Sequence, residues 1–264
     1  IRVIFTSKML RFRRLIQQPR LRRPSLFCSI MACCSGIMYK GVSALKILFV
    51  CTGNTCRSAM AEGLLKVMLK EKGMEDIRAR SAGIAAFPGE EASRQAVRVM
   101  RELGVDLSSH KARRLDAKLL KEADLILTSV GEQNLDDVAA QLKEGFAGKE
   151  KHTDIITVEN GINPARVLRN HMADLGMTAG FAVSQTAVFC STVVVRDTRL
   201  DILSQNETYF PYDADELGEL DFDGAVPVHS FERFFQRKIY TYNCLAGLIS
   251  YCGYIKGYEV FGEA

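Results

Sequence analysis

The tightest constraint on this 264-residue chain is one short run, Val50-Cys51-Thr52-Gly53-Asn54-Thr55-Cys56-Arg57-Ser58. It follows Lys46-Ile47-Leu48-Phe49-Val50, an apolar run of strand type, and precedes Ala59 to Met68, which has helical periodicity. A strand, a tight loop and a helix in that order place backbone N–H groups and a helix N-terminus around a tetrahedral oxyanion. Five residues separate Cys51 from Arg57, enough for a loop that closes on one phosphate-sized anion. The positive field at such a site stabilises a thiolate, so Cys51 is the candidate nucleophile. Arg57 supplies a planar fork for two equatorial oxygens. Ser58 is placed to donate a hydrogen bond to the Cys51 sulfur and ease its departure. Asn54 is expected to hold the loop in shape, and Gly53 to provide backbone geometry that a Cβ would resist. Thr52, Gly53, Asn54, Thr55, Cys56 and Arg57 together form the expected phosphate-binding set.

Charge argues against a nucleic-acid partner. The formal net charge is +4, but residues 1–40 hold nine Lys/Arg and no acid, leaving 26 basic against 31 acidic residues in the remainder. The basic character therefore belongs to a leading segment and not to the body. Residues 1–37 begin with Ile and run through an Arg-rich stretch into an apolar one, Leu26 to Met38. A targeting peptide fits this pattern; the reading preferred is upstream sequence translated in frame, with Met31 or Met38 as the start. The apolar run is shorter than the roughly 20 residues of a membrane span, so no membrane partner is expected. Eight cysteines form no paired framework and no zinc-finger spacing, which favours a reducing cytoplasm. A hydrophobic share of 47% with 25% charged residues excludes a disordered, fibrous or membrane-bundle class.

The full run from Val50 to Ser58 resembles the low molecular weight protein tyrosine phosphatase family. The resemblance continues through Ser81-Ala82-Gly83, the helix around Ala92 to Leu103, Leu107-Ser108-Ser109-His110-Lys111-Ala112-Arg113 and Ala123-Asp124-Leu125-Ile126-Leu127-Thr128, spanning residues 45–128. It implies hydrolysis of a phosphorylated protein through a phosphocysteine intermediate, without a cofactor. Thr55 resembles the branch that acts on phosphoarginine, whereas tyrosine-directed members usually carry an aliphatic residue there; both substrates stay open. Family members also carry an Asp-Pro dipeptide whose Asp is the general acid, and this chain has none. Losing a general acid costs on the order of 10²- to 10⁴-fold in rate. Asp213, Asp215, Asp221 and Asp223 are available in an acidic stretch, with nothing in the sequence to bring them near Cys51.

A second resemblance begins where the first is expected to stop. Residues 123–264 are similar to the mannitol dehydrogenase family, including mannitol-1-phosphate 5-dehydrogenases, through Glu159-Asn160-Gly161-Ile162-Asn163-Pro164, the run Phe231 to Gly247, and Tyr254 to Tyr258. That family places a Lys and an Asn on one helix beside the substrate carbinol, so the resemblance implies active-site roles for Lys238, Asn243 and Asn160. It departs at Ala246, where a His is expected, and around Ser184 to Phe189, where an Asp-Arg motif is expected. No G-x-G-x-x-G is present, so NAD enters only if the dehydrogenase-like part is functional.

The expected architecture is α/β: a three-layer parallel sheet flanked by helices, with a partial helical segment at the C-terminal end. Strands are expected near residues 46–50, 77–82, 124–128 and 154–158, each followed by a helix. The division is an N-terminal extension at 1–44, a phosphatase-like portion at 45–128 and a dehydrogenase-like portion at 129–264. Phe231, Phe234, Phe235, Tyr240, Tyr242 and Tyr254 are expected to be incompletely covered. The leading function is a cysteine-dependent protein phosphatase, against an NAD-dependent polyol dehydrogenase fragment or an inactive fusion product. Oligomeric state stays open.

Overall fold

The structure, a computed structural model, describes residues 45–187, 191–194, 200–203, 209–218, 220 and 224–258. Five parallel strands form the central sheet: β1 (Leu45–Cys51), β2 (Ile77–Gly83), β3 (Leu125–Ser129), β4 (Thr153–Thr157) and β5 (Phe181–Gln185), in the spatial order β2-β1-β3-β4-β5. The four expected strands are present, and a fifth, β5, extends the sheet. Register runs unbroken across the point where the two resemblances meet: Val50 lies opposite Thr128, and Thr128 opposite Thr157.

The helices between the strands are α1 (Arg57–Lys72), α2 (Arg94–Glu102), α3 (Ala117–Glu122), α4 (Leu135–Phe146) and α5 (Pro164–Asp174). Their ends carry local signals. Ser93, Asp116 and Asn163 accept hydrogen bonds from Ala96, Leu119 and Arg166 N–H groups at 3.2, 2.8 and 3.2 Å, capping α2, α3 and α5. Gly73 ends α1 in the left-handed region, φ 64°.

Layering follows from strand alternation. Ile47 and Phe49 of β1 face one core with Met60, Leu65 and Leu69 of α1 and Met100 of α2. Leu48 and Val50 face the other with Leu120 of α3, Val138 and Leu142 of α4, and Leu168 and Met172 of α5. A strand buried on both faces reads as a continuous apolar run, which is why β1 was legible. β2 closes one edge and alternates instead, with Arg78 and Arg80 exposed between buried Ile77, Ala79 and Ser81.

Beyond β5 the chain forms two small pairs, β6 (Ser191–Val194) antiparallel with β7 (Leu200–Leu203), and β8 (Phe210–Asp213) parallel with β9 (Ala225–Val228). A bridge between Thr186 and Tyr212 ties β8 to the end of β5. The C-terminal segment is α6 (Phe231–Lys238), a π-helical turn (Ile239–Asn243) and α7 (Cys244–Ile255). Phe231 and Phe235 are buried in a small cluster with Ala187, which corrects their expected exposure: they sit one turn apart on the face of α6 that meets the end of β5. Tyr240, Tyr242 and Tyr254 are exposed as expected, together with Leu245, Leu248 and Tyr251. No helix among the described residues is long and apolar enough to cross a membrane. The N-terminal extension, Asp221 and Asp223 lie outside the described residues.

Candidate active site

Strand order reverses at β1, with β2 on one side and β3 on the other. Open α/β sheets form their ligand crevice outside the carboxyl ends of the strands at such a switch point. Cys51 is the last residue of β1 and Arg57 the first of α1, so the loop between them lies in that crevice.

The Cys51 sulfur is buried and has two close polar neighbours. The Asn54 N–H donates to it at 3.2 Å, and the Ser58 hydroxyl lies 2.9 Å away. Asn54 is fully buried with φ 55°, a left-handed conformation that asparagine tolerates. Its side-chain N–H₂ donates to the hydroxyls of Ser58 and Ser81, each at 2.8 Å. Its side-chain oxygen accepts from the Arg113 N–H at 2.9 Å, and its carbonyl accepts from His110 Nε2 at 2.7 Å. Because Asn54 fills an acceptor site on Ser58, the Ser58 proton is left for the Cys51 sulfur or, at a longer 3.4 Å, the Ala82 carbonyl. The Ser81 hydroxyl in turn donates to Glu62, a buried carboxylate that also meets Lys66 at 2.5 Å. Loop shape is thus fixed from outside the loop by β2, α1 and the segment before α3.

The backbone constraint is not where it was expected. Gly53 has no positive φ, and a Cβ built there meets nothing closer than Thr55 Oγ1 at 3.7 Å, so the special conformation belongs to Asn54. Gly83 is the glycine the loop requires: a Cβ there would lie 2.6 Å from the Thr52 carbonyl and 2.9 Å from the Asn54 nitrogen.

Arg57 is exposed at the mouth, with Nη2 3.5 Å from the Thr52 hydroxyl, which itself donates to the Val130 carbonyl at 3.1 Å. Cys56 is half-buried at the α1 N-terminus, and burial pushes its thiol pKa up. Thr55 is half-buried, and its carbonyl accepts from the Ser93 N–H at 2.8 Å. Glu159, just beyond β4, is buried; burial pushes its carboxyl pKa up, while the N–H groups of Val130 and Gly131, donating at 2.7 and 2.9 Å, and the charge of Arg57 pull it back.

The acidic candidates adjoin a different strand. Asp213 ends β8 beside β5, and Asp215 is engaged by His229 at 2.6 Å and by the Ser230 N–H at 2.8 Å. β5 is three strands from β1, about 14 Å at the usual strand spacing. Neither carboxylate is in reach of Cys51.

Of the dehydrogenase-like set, Lys238 is buried and its Nζ donates to Asn160 Oδ1 at 2.7 Å. Asn243 is exposed on the π-helical turn. A dinucleotide does not fit this sheet. The turn after β1, where a pyrophosphate would sit, is the tight thiol loop with no glycine-rich run, and the amides after β3 are already taken by the Glu159 carboxylate.

A parallel three-layer α/β sheet with a thiol and a guanidinium at its switch point is an arrangement able to hold one tetrahedral oxyanion. The family model described as low molecular weight phosphotyrosine protein phosphatase matches residues 46–157, so the likeness runs past Thr128 to include β4. The low molecular weight protein-tyrosine-phosphatase Ptp of Acinetobacter johnsonii is 47% identical over 81 residues, 31% of this chain and 54% of the relative. The protein-arginine-phosphatase of Bacillus subtilis is 42% identical over 83 residues, again 31% and 54%. An arsenate reductase of Staphylococcus aureus is 36% identical over 104 residues, 39% of this chain and 74% of the relative. The chain belongs to the low molecular weight phosphotyrosine protein phosphatase family. It spans little more than half the length of the tyrosine- and arginine-directed relatives it matches. The mannitol-1-phosphate 5-dehydrogenase of Thermoanaerobacter pseudethanolicus is 28% identical over 163 residues, 56% of this chain and 42% of the relative, a weaker likeness in keeping with the second resemblance.

Proposed function

We propose that this chain is a cysteine-dependent phosphatase acting on phosphorylated protein, with phosphotyrosine or phosphoarginine as the substrate group. Cys51 is the nucleophile. Its sulfur attacks phosphorus, an S–P bond forms, and the P–O bond of the aryl ester or the P–N bond of the guanidino group breaks as the leaving group takes up a proton. Water then attacks phosphorus and breaks the S–P bond, releasing phosphate and returning the thiolate. Arg57 draws on two equatorial oxygens as charge spreads over them. The Ser58 hydroxyl stabilises the departing sulfur anion, and Asn54 keeps both in place. Thr52, Gly53, Thr55 and Cys56 complete the cradle. No cofactor enters these steps. Free thiols at Cys51 and Cys56 fit a reducing compartment, and we assign the protein to the cytoplasm.

The observation that carries this function is the placement of the Cys51 sulfur between the Asn54 N–H and the Ser58 hydroxyl at the N-terminus of α1. The test is hydrolysis of an activated aryl phosphate by the full chain, with Cys51→Ser purified in parallel. Activity in the parent and none in the variant is expected; equal rates, or no turnover by folded parent protein, would refute the function. Iodoacetate gives a second check, since Cys51 is expected to be alkylated near neutral pH and protected by inorganic phosphate.

The division into a phosphatase-like portion at 45–128 and a dehydrogenase-like portion at 129–264 is kept as part of this proposal, with the phosphatase likeness extending across that boundary to residue 157. The Lys238 to Asn160 bond joins residue types of the kind used in dehydrogenase chemistry, and without a fit for the dinucleotide it supports no hydride transfer.

A further inference from the structure

We propose that Glu159 is a positioning residue for the phosphate loop: its carboxylate holds the Val130–Gly131 turn so that the Val130 carbonyl fixes Thr52 and, through Thr52, the Arg57 guanidinium. The proposal rests on the phosphate-binding role given to that loop above, and it extends the site to a residue that the sequence left without a role.

The connection is continuous. Glu159 Oε1 accepts from the Val130 N–H at 2.7 Å and Oε2 from the Gly131 N–H at 2.9 Å. The Val130 carbonyl, on the other side of the same residue, accepts from the Thr52 hydroxyl at 3.1 Å and from Asn134 Nδ2 at 2.8 Å. Arg57 Nη2 lies 3.5 Å from the Thr52 hydroxyl oxygen. Gly131, at φ 95°, turns the chain so that two successive N–H groups reach one carboxylate. The carrier of Glu159 is itself pinned, because the neighbouring Asn160 receives the Lys238 ammonium at 2.7 Å. A buried carboxylate is costly unless it is hydrogen-bonded and matched by charge, and here two amides and Arg57 provide both.

Charge and position predict opposite signs. Glu159 is an acid near an anion site, so if it contributed charge alone, its neutralisation would strengthen phosphate binding by removing repulsion. If it contributes position, neutralisation weakens binding. Glutamine keeps the size and can accept one of the two N–H groups, but its own N–H₂ faces the other, so the turn shifts.

The experiment titrates inorganic phosphate against iodoacetate alkylation of Cys51 in the full chain. The parent is compared with Glu159→Gln, Glu159→Asp, Thr52→Val and the Thr52→Val/Glu159→Gln double variant, each checked for folding by near-UV circular dichroism. Glu159→Gln is expected to require roughly tenfold more phosphate for half-protection, Glu159→Asp to recover part of the loss, and the double variant to lose little beyond either single one. Unchanged or tighter phosphate protection in folded Glu159→Gln overturns the proposal. If Glu159→Gln does not fold, Thr52→Val alone decides: undiminished protection there breaks the proposed connection. Protection does not depend on turnover. A parent that phosphate protects but that hydrolyses nothing refutes the phosphatase function and leaves the Glu159 proposal standing, whereas a parent that phosphate does not protect overturns the Glu159 proposal itself.

Discussion

Replacing Asn54 by alanine and by glycine separates the two tasks this residue performs. The side chain makes three hydrogen bonds, two of them buried, to Ser58 and Ser81, and one half-buried, from the Arg113 N–H, and the backbone holds φ 55°. At about 1 kcal/mol net for each bond, both variants lose roughly 3 kcal/mol. Alanine adds left-handed strain of about 1–2 kcal/mol, which glycine avoids. Glycine's freer unfolded chain costs about 0.4–1 kcal/mol in return. Glycine is therefore expected to be the more stable of the two by roughly 0.8 kcal/mol, the reverse of their order in a helix. Urea unfolding followed by circular dichroism reads the difference directly, with both variants also expected to alkylate more slowly at Cys51. If alanine were the more stable, or if both variants lost under about 1 kcal/mol, the buried network around the sulfur would not be the support described above.

Gly83→Ala is expected to cost about 1–3 kcal/mol and to abolish phosphate protection of Cys51, because the new methyl group meets the Thr52 carbonyl and the Asn54 nitrogen; thermal melts and alkylation kinetics test it. Lys149 donates to the Leu120 and Ala123 carbonyls at 2.7 and 2.6 Å, and burial lowers its pKa to about 8 from an ordinary 10.5. Between those values the unfolded chain holds the extra proton, so this group makes stability rise as pH rises from about 8 to 10.5. Urea midpoints of the parent measured against Lys149→Gln across that range should diverge accordingly, and parallel curves would contradict it. The exposed apolar face of α7 should govern self-association: Leu248→Glu with Tyr251→Glu is expected to lower light scattering while shifting stability by no more than about 0.5 kcal/mol.

What the sequence disclosed follows the range of the interactions involved. β1, the loop and α1 were readable because apolar runs, helical spacing and the thiol-to-arginine interval are local properties of one segment. The helix expected around Ala92 to Leu103 corresponds to α2, Arg94–Glu102. Gly53 was misjudged because a glycine in a tight loop suggests special geometry, yet the left-handed residue is its neighbour Asn54. Phe231 and Phe235 were expected to be open because their cover, Ala187 at the end of β5, is remote in sequence. The support from Ser81, His110 and Arg113 was present only as family likeness without assigned roles. Glu159 gave no local signal: its burial and its nearness to Arg57 arise from strand order, which brings β4 beside β3 and β3 beside β1.

The pairing of β4 onto β3 also matters while the chain is being made. Once Ser129 has emerged from a ribosome, β1, β2 and β3 can assemble, but the apolar edge Leu125 to Leu127 stays open until Thr157 follows. At ordinary synthesis rates that interval is about 1–6 s, long compared with the assembly of neighbouring strands. During that time the bare edge is a template for any other extended strand. Products that stop between β3 and β4 keep it permanently, so nonsense truncations and proteolytic nicks in this interval are expected to accumulate as insoluble material instead of as a smaller folded protein.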